Sequence, residues 1–264
     1  MGEYRSQIKP LYGTPLSKTH WSNQGLVGNW ILNEGSGLIA HDDSGNDNHG
    51  TLVGMVPSPA SGWAPGPHGP ALAFDGSDDY VRAPSIRLPG GPNPRTVIIR
   101  AKLNTVAGYS VIAGYGTYES GKGTAFYAGS YAGVWYGWNI FYDVNTNVPS
   151  DVLWHQHIIQ YDKGYEYYWL DNSLLNGRVA VSLDTMPMSN GPIMGCLPDG
   201  SHKMNGLISS VATYDRALSA EENAYLCTFP WCGYEDEKGQ QEWLFNQNAT
   251  AMQKIYRYYS IGGQ

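Results

Sequence analysis

Short apolar segments separated by glycine, asparagine, aspartate and proline fill the chain from residue 25 to about residue 231. Within many of these segments apolar and polar positions alternate with a period of two, which is typical of β-strands. Glycine, asparagine and aspartate between the segments suit tight turns, because they tolerate positive φ or bond their own backbone. The pattern predicts strands that include 97–103, 109–113, 124–128, 133–142, 153–161 and 165–170.

Two local signals predict a hairpin and a helix. Asp171-Asn172 separates two predicted strands, and asparagine readily adopts the left-handed conformation that a two-residue hairpin turn requires. Ser219 precedes 220–226, where acidic residues fall in the first turn of a possible helix. A serine cap and early acidic side chains stabilise a helix start, so a short helix is expected there.

The two ends of the chain lack the strand pattern. Residues 1–24 carry prolines and polar side chains without a period, so we expect an extended N-terminal arm that runs over a surface. The predicted organisation is this arm, a β domain over 25–231 and a partly helical C-terminal extension over 232–264. The helix in the extension is predicted from apolar residues at helical spacing, which are Met252, Ile255, Tyr256 and Tyr259.

Separated motifs in the β region carry a family resemblance. They read GLVGNW at 25–30, DSGNDNHGTL at 43–52, GPALAFDGSDDYV at 69–81 and NGLISSVATYDRALSAEE at 205–222. Their order and wording resemble the laminin-G-like jelly rolls of the concanavalin A-like lectin/glucanase superfamily. The resemblance implies an all-β fold, an antiparallel jelly-roll sandwich with an extended N-terminal arm and a short helical C-terminal extension.

Composition supports the all-β expectation and limits the partners. The chain of 264 residues has 33 glycines, 20 tyrosines and 9 tryptophans but only 15% charged residues, which suits many turns and aromatic-rich strands. Its net charge of -7 gives no basic footprint for nucleic acid or anionic membranes, so neither is expected as a partner. No apolar run approaches a membrane span, and the first residues lack a secretory signal pattern.

The three cysteines do not indicate a disulfide framework or a zinc site. Three cysteines are too few for a disulfide framework, and the spacing of Cys196, Cys227 and Cys232 does not match a zinc site. Cys196 is expected to be a small buried residue. A bridge between Cys227 and Cys232 stays open.

Catalytic carboxylates are not evident in the sequence. Glycoside hydrolysis needs two carboxylates about 5 to 10 Å apart, and the closest candidate, residues 235–237, is better interpreted as a solvated charge run. His155 and His157 project from one face of a predicted strand, where a metal site could begin. Because two histidines rarely complete a ligand set, we expect His157 to be structural. The protein is predicted not to be an enzyme.

A calcium site is one candidate for the tight turns. Calcium prefers carboxylate and backbone oxygens, and the resemblance implies a structural Ca²⁺ near Asp43 and Asp75, with Asp78 and Asp79 close by. The family's closing strand carries an acidic pair where this chain has Ser209-Ser210, so one expected ligand is missing. The alternative is that Asp43 and Asp75 cap turns by accepting backbone hydrogen bonds.

Aromatic residues are the candidates for glycan binding. Sugar rings have apolar faces edged by hydroxyls, so glycan sites pair exposed aromatic rings with polar side chains. Alternation along strands lets only about half of such rings face outward, and the rest are core. The candidates for a carbohydrate-binding platform are Tyr115, Tyr118, Trp135, Tyr136 and Trp138.

Three functions remain in order of preference. The leader at 7–16, running into 25–28, also resembles laminin-G-like proteins encoded by tailed bacteriophages. This favours a non-catalytic virion component, a capsid decoration or tail-associated protein at the virion surface, with possible glycan binding. Its arms would contact other virion proteins or copies of itself. The alternatives are a free, extracellular lectin-like module and a glycoside hydrolase.

Overall fold

Antiparallel strands form most of the regular structure that the computed structural model describes, which covers residues 8–56, 60–105, 108–117, 119, 121–129, 132–135, 144–146, 151–180, 182–189 and 191–235. Side chains are described at these positions except 109, 129, 132–135, 144–146, 176–180 and 192. The strands are β1 Leu26–Trp30, β2 Ile39–Ala40, β3 Gly50–Val53, β4 Gly62–Gly66, β5 Gly69–Asp75, β6 Tyr80–Ala83, β7 Arg95–Leu103, β8 Tyr109–Gly116, β9 Gly123–Gly129, β10 Ala132–Trp135, β11 Val144–Thr146, β12 Trp154–Asp162, β13 Tyr165–Leu170, β14 Ser173–Ala180, β15 Gly191–Met194 and β16 Asn205–Tyr214. A 3₁₀ turn, Trp21–Asn23, precedes β1, and helix α1, Ala220–Thr228, follows β16.

The strands form two antiparallel sheets. Sheet I has the order β14-β13-β12-β7-β16-β5-β4, and β1 also pairs with β16. Sheet II has the order β11-β10-β9-β8-β15-β6-β3-β2. Strands far apart in sequence are neighbours, as β16 is to both β5 and β7. The predicted all-β antiparallel sandwich is confirmed.

Strand β7 shows how alternation builds the core. Val97, Ile99 and Ala101 are at most 2% exposed and belong to the cluster between the sheets. Ile98 belongs to a second cluster, which Leu226 of α1 joins on the other side of sheet I. Because both faces of β7 are covered, its sequence is a nearly continuous apolar run. The main cluster also contains Trp30, Leu72, Phe74, Ile112, Phe126, Ile159, Tyr168 and Met194.

The predicted hairpin and helix are both present. Asp171 and Asn172 have φ of 44° and 72°, and they connect β13 to β14. Ser219 caps α1, since its hydroxyl accepts from the Glu222 N–H at 3.2 Å and the Glu222 carboxylate accepts from the Ser219 N–H at 2.8 Å. This reciprocal pair of bonds is a capping box.

The described part of the N-terminal arm lies along the segment that follows α1. The Ser17 N–H donates to the Gly233 carbonyl at 2.8 Å, and the Glu235 N–H donates to the Pro15 carbonyl at 2.8 Å. Leu16 and Tyr234 form an antiparallel bridge between these bonds. The arm from residue 8 therefore lies on its own chain. The domain boundaries at 24 and 231 stay predictions, and the predicted helix around Met252–Tyr259 lies outside the described residues.

A buried lysine fixes the start of the arm. Lys9 is 6% exposed, and its ammonium donates to the carbonyls of Leu32 at 3.1 Å, Ser209 at 2.7 Å and Pro70. Burial lowers the pKa of Lys9 to about 7, while the charge of Glu34 acts in the opposite direction. One side chain of the arm thus joins three segments of the sandwich.

Candidate functional site

A row of three rings, of which the outer two are exposed, lies where the arm meets the β2 edge of sheet II. Tyr12 is 57% exposed, and its hydroxyl lies 3.0 Å from Nε2 of His41. The Tyr12 and His41 ring centroids are 5.1 Å apart, and those of His41 and His49 are 5.0 Å apart. We call Tyr12, His41 and His49 the ring surface.

Hydrogen bonds on the arm side hold Tyr12 in this row. The Asn33 side-chain amide donates to the Pro10 carbonyl at 2.8 Å, and Lys9 anchors the preceding residue. The Glu34 carboxylate accepts from the His41 N–H at 2.5 Å. These hydrogen bonds hold the arm and the segment that leads into β2 at successive points. The backbone that carries Tyr12 is therefore fixed in place.

A buried aspartate organises the turn that carries His49. Asp42 is 4% exposed, and its carboxylate accepts from the N–H groups of Asn29, Ser44 and Asn48 at 2.8 to 3.0 Å. The Asp42 N–H donates to Nδ1 of His49 at 3.0 Å. The neutral His49 ring therefore carries its proton on Nε2, at an exposed position.

The ring surface combines the two chemistries that a sugar needs. An exposed tyrosine face accepts the apolar C–H face of a pyranose or furanose, and imidazole N–H and phenol groups bond its hydroxyls. No nucleophile and base pair is placed here among the described side chains. The arrangement therefore offers the kinds of group that contact a neutral sugar.

Asp43 does not lie with the other predicted calcium ligands. Its Oδ2 accepts from the Tyr234 hydroxyl at 2.7 Å, and that hydroxyl also accepts from the Asn29 amide at 2.7 Å. Burial raises the pKa of Asp43 to about 6, against the Tyr234 hydrogen bond, and Glu34 and Asp42 add to the rise. Asp43 thus fixes the segment after α1 to β1.

Asp75 lies in a separate acidic group with Asp78 and Asp79. One carboxylate oxygen from each lies within 4.8 Å of the others. Turn hydrogen bonds already occupy part of the group, since Asp75 accepts from the Ser77 N–H at 2.7 Å and Asp79 from the Asp75 N–H at 3.0 Å. Asp75 and Asp79 therefore cap the turn, which was the alternative to calcium binding. Whether Ca²⁺ also binds at Asp75 stays a prediction.

The predicted aromatic platform needs one correction. Tyr115 is 3% exposed, and its hydroxyl donates to the Pro89 carbonyl at 3.0 Å inside the sandwich. Because its ring is buried, the prediction that Tyr115 binds sugar is wrong. Trp135 lies at the end of β10, where no side chain is described, and Tyr118, Tyr136 and Trp138 lie outside the described residues.

The two histidines of β12 have structural roles. His157 is 7% exposed, and its Nδ1 lies 2.9 Å from the Tyr168 hydroxyl. This agrees with the predicted structural role of His157. Burial lowers the pKa of His157 to about 3. His155 lies between Asp171 at 2.5 Å and Asp151 at 2.9 Å. Partial burial lowers the pKa of His155, but its bonds to these carboxylates outweigh burial and raise it.

The cysteines are free thiols in the described structure. Cys196 is 3% exposed, as expected, and burial raises the pKa of its thiol to about 11. Burial also raises the pKa values of Cys227 and Cys232. None of the three is therefore a ready nucleophile at neutral pH.

Solved structures identify the fold class of this architecture. Domain 4 of AbnA, an extracellular arabinanase of Geobacillus stearothermophilus solved with arabinotriose, is similar with a TM-score of 0.60 and 15% identity over 76% of this chain and 98% of the domain. The fold is that of lectin-like β-sandwiches. At this identity the similarity concerns the fold alone.

Two further neighbours are parts of larger proteins. Trypanosoma rangeli sialidase in complex with sialic acid has a TM-score of 0.59 and 15% identity, over 89% of this chain and 38% of the sialidase. A structure on ganglioside-dependent cell entry of botulinum neurotoxin type C has a TM-score of 0.56 and 13% identity, over 78% of this chain and 51% of the other. This chain therefore spans about a third to a half of these two proteins. No family model matches the sequence, and no curated protein does.

Among the described residues, no helix has both the length and the apolar character to cross a membrane.

Proposed function

We propose that the protein is a non-catalytic carbohydrate-binding module that binds sugars at the ring surface. The observation that carries the proposal is the Tyr12 ring, which is 57% exposed yet fixed through its hydroxyl to His41. Single exposed side chains are common on protein surfaces, but this ring is held by a hydrogen bond and continues into the rings of His41 and His49. Binding then costs little conformational entropy, because the ring is already held in place.

Neighbouring folds support a sugar as the ligand class. The arabinanase domain, which this chain covers almost completely, was solved with arabinotriose. The sialidase was solved with sialic acid, and the toxin structure concerns ganglioside interaction. These are properties of those proteins, and they support the proposal by analogy of fold.

The engagement of the described carboxylates supports binding without catalysis. Asp42 and Asp43, which directly follow His41, accept hydrogen bonds from backbone N–H groups and from Tyr234. A general acid or nucleophile needs a carboxylate that faces the scissile bond. Asp75 and Asp79 are likewise occupied by turn N–H groups.

A glycan array followed by calorimetric titration tests the proposal. The array includes arabino-oligosaccharides, sialosides and ganglioside glycans, and the best ligand is titrated into wild type and variants. Tyr12→Ala should weaken binding at least about fivefold, because stacking on an aromatic ring contributes about 1–3 kcal/mol. Tyr12→Phe keeps the ring but loses the hydroxyl that bonds to His41, so its affinity should lie between those of wild type and Tyr12→Ala.

The matched control is Tyr225→Ala. Tyr225 is also an exposed tyrosine, at 39%, but it packs against Trp21 and Phe229. Its removal should leave the affinity unchanged. Equal loss in both alanine variants, or no binding to any glycan by wild type, contradicts the proposal.

A second possible platform comes from the sequence. A variant with alanine at Trp135, Tyr136 and Trp138 tests it in the same titration. If this variant loses binding while Tyr12→Ala keeps it, the carbohydrate-binding function stands but the site is the sequence-predicted one. If both lose affinity, the ligand spans two surfaces.

The virion role rests on the bacteriophage resemblance of the sequence. The described arm lies on its own sandwich rather than extending away from it, so the structure adds no support for attachment through residues 8–24. Co-purification with virus particles tests this role. Calcium at Asp75 is likewise a proposal, which metal analysis of protein purified without chelator tests; protein that retains no Ca²⁺ rejects it.

A further inference from the structure

Two cations lie over one tyrosine ring on the outer face of sheet II. The Lys203 ammonium lies 4.3 Å and the guanidinium carbon of Arg82 5.4 Å from the centre of the Tyr80 ring. The guanidinium also donates to the Tyr80 hydroxyl at 2.6 Å. Arg82 is exposed, and Tyr80 and Lys203 are half-buried. We call these three side chains the cation cluster.

The surface around the cation cluster is locally positive. Neither Arg82 nor Lys203 forms an ion pair with any residue that the structure describes, although the chain has a net charge of -7. Burial raises the pKa of the Cys196 thiol to about 11, and the charges of Lys203 and Arg82 both oppose that rise. The two cations therefore act on the same region, and their combined field attracts an anion.

The carboxylate that acts on the same region is already engaged. Asp199 adds to the rise in the pKa of Cys196, after burial and against the charge of Lys203. It accepts from the N–H of Ser201 at 2.9 Å and from its hydroxyl at 2.7 Å. Asp199 thus closes its own turn, and the donors of the cation cluster stay available to a ligand.

Strand register places the cation cluster and the ring surface on one face of sheet II. Arg82 lies opposite Thr51, and Thr51 lies opposite Ile39. Cross-strand partners share a face of the sheet. This face is the outer one, because Val81 and Ala40, the chain neighbours of Arg82 and Ile39, belong to the core between the sheets.

The strand surface between the two groups is exposed. His49 of the ring surface precedes Thr51 by two residues, so both project outward, and both are exposed. Tyr80 lies opposite Val53, two residues further along the same strand. The rise per residue and the spacing between strands place His49 about 14 Å from Tyr80. One oligosaccharide can therefore contact both groups.

We propose that the cation cluster binds the acidic group of a glycan whose neutral part lies on the ring surface. This inference rests on the proposed carbohydrate-binding function and adds its substrate class, an acidic oligosaccharide. The guanidinium and the ammonium donate to the carboxylate or sulfate of one sugar, because charged donors and anionic oxygens form strong hydrogen bonds. The Tyr80 ring holds both cations in place, so binding costs little side-chain freedom.

Matched glycans test the substrate class with the full chain. Calorimetric titration compares lactose with sialyllactose and with sulfolactose, and the glycan array includes further pairs that differ in one acidic group. The acidic member should bind about fivefold more tightly, and added salt should reduce this preference, because exposed charges are screened. Preference for only the sialylated or only the sulfated member supports the inference and identifies the acidic group.

The contrary outcomes separate this inference from the proposed function. Equal affinity for the neutral and acidic members of every pair overturns the inference and leaves carbohydrate binding in place. Absence of binding to any glycan removes both.

Paired variants assign the preference to the cation cluster. Arg82→Gln and Lys203→Gln should each reduce the ratio of acidic to neutral affinity at least about twofold, since each removes one of the two charges. Arg87→Gln removes a charge from another exposed position and should keep the wild-type ratio. A ratio that stays at the wild-type value in both cluster variants overturns the inference.

A second measurement uses wild type alone. In an NMR titration, the acidic member of a pair should shift the amide signals of Tyr80 and Thr51 in addition to those of the ring surface. Its neutral counterpart should shift the ring surface without Tyr80. Shifts that are the same for both members contradict the inference.

Discussion

Asp42 and Asp43 are adjacent in the chain but have different roles. Asp42 is buried and accepts several N–H groups that define the turn before β3. Asp43 accepts only from the Tyr234 hydroxyl among the described side chains, and burial raises its pKa to about 6. For Asp43, burial favours the neutral carboxyl more than its single hydrogen bond favours the anion.

Asp43→Asn should change the pH dependence of stability. The pKa of Asp43 is about 6 in the folded protein and about 3.9 in an unfolded chain. The wild-type carboxyl therefore contributes stability that is present below pH 4 and lost as pH rises through 6. The asparagine variant should gain about 1–2 kcal/mol relative to wild type between pH 4 and pH 7, allowing for partial exposure.

Urea unfolding at several pH values from 4 to 8 measures this difference. Asp47→Asn is the matched control, because Asp47 is exposed and follows in the same turn. The free energy of unfolding of that control should change with pH as it does in wild type. If the free energy of unfolding of Asp43→Asn also changes with pH as in wild type, the pKa of Asp43 is not raised in the folded protein.

Tyr12 and Tyr115 show where residue-level prediction fails. Tyr12 lies in an arm without periodicity, and its partner His41 is 29 residues away, so no local pattern indicates the contact. Tyr115 was expected to be exposed, but β8 has an irregularity between Val111 and Ala113. Such a bulge changes the face of the sheet on which later residues lie. Val111 therefore packs in a separate cluster on one face of sheet II, and Tyr115 packs in the main core on the other.

Elements with local signals could be predicted from the sequence. The capping serine of α1 and the turn at Asp171-Asn172 both depend on residues next to each other, and both are present. Strand β7 was also recognised, since its apolar run is continuous. Pairing between β16 and β5 joins segments far apart in the sequence, and no local pattern indicates it.

The β13–β14 turn gives a stabilising prediction. Asn172 has φ of 72°, a conformation that glycine adopts at lower energy. Asn172→Gly should stabilise the protein by up to about 0.5 kcal/mol, and Asn172→Ala should destabilise it by about 1 kcal/mol. Urea unfolding of both variants checks the order; an alanine variant as stable as the glycine variant contradicts this account of the turn.

The capping box of α1 gives a second prediction for an element. Ser219→Ala removes the acceptor of the Glu222 N–H and should cost about 1 kcal/mol. Ser219→Asp keeps an acceptor and should restore most of the stability. Thermal or urea unfolding measures both. Equal stability of the alanine and aspartate variants contradicts a capping role.

At the scale of the whole molecule, the N-terminal arm is part of the sandwich. Lys9 bonds to carbonyls of three segments, and the arm pairs with residues 233–235. Lys9→Met should destabilise the protein by about 2–4 kcal/mol, because it leaves buried carbonyls without a donor. It should also make residues 8–24 more sensitive to protease.

Lys18→Met serves as the control for that prediction, since Lys18 is exposed on the same arm. It should keep wild-type stability and protease resistance. Cleavage of the arm at equal rates in wild type and Lys9→Met contradicts the anchoring role of Lys9.

The central claim is that the ring surface binds sugars, and an NMR titration with the best array ligand tests it most directly. The largest shifts should appear at Tyr12, His41 and His49, and they should saturate with ligand concentration. Shifts confined to other surfaces, or no saturable shift with any glycan, contradict the claim.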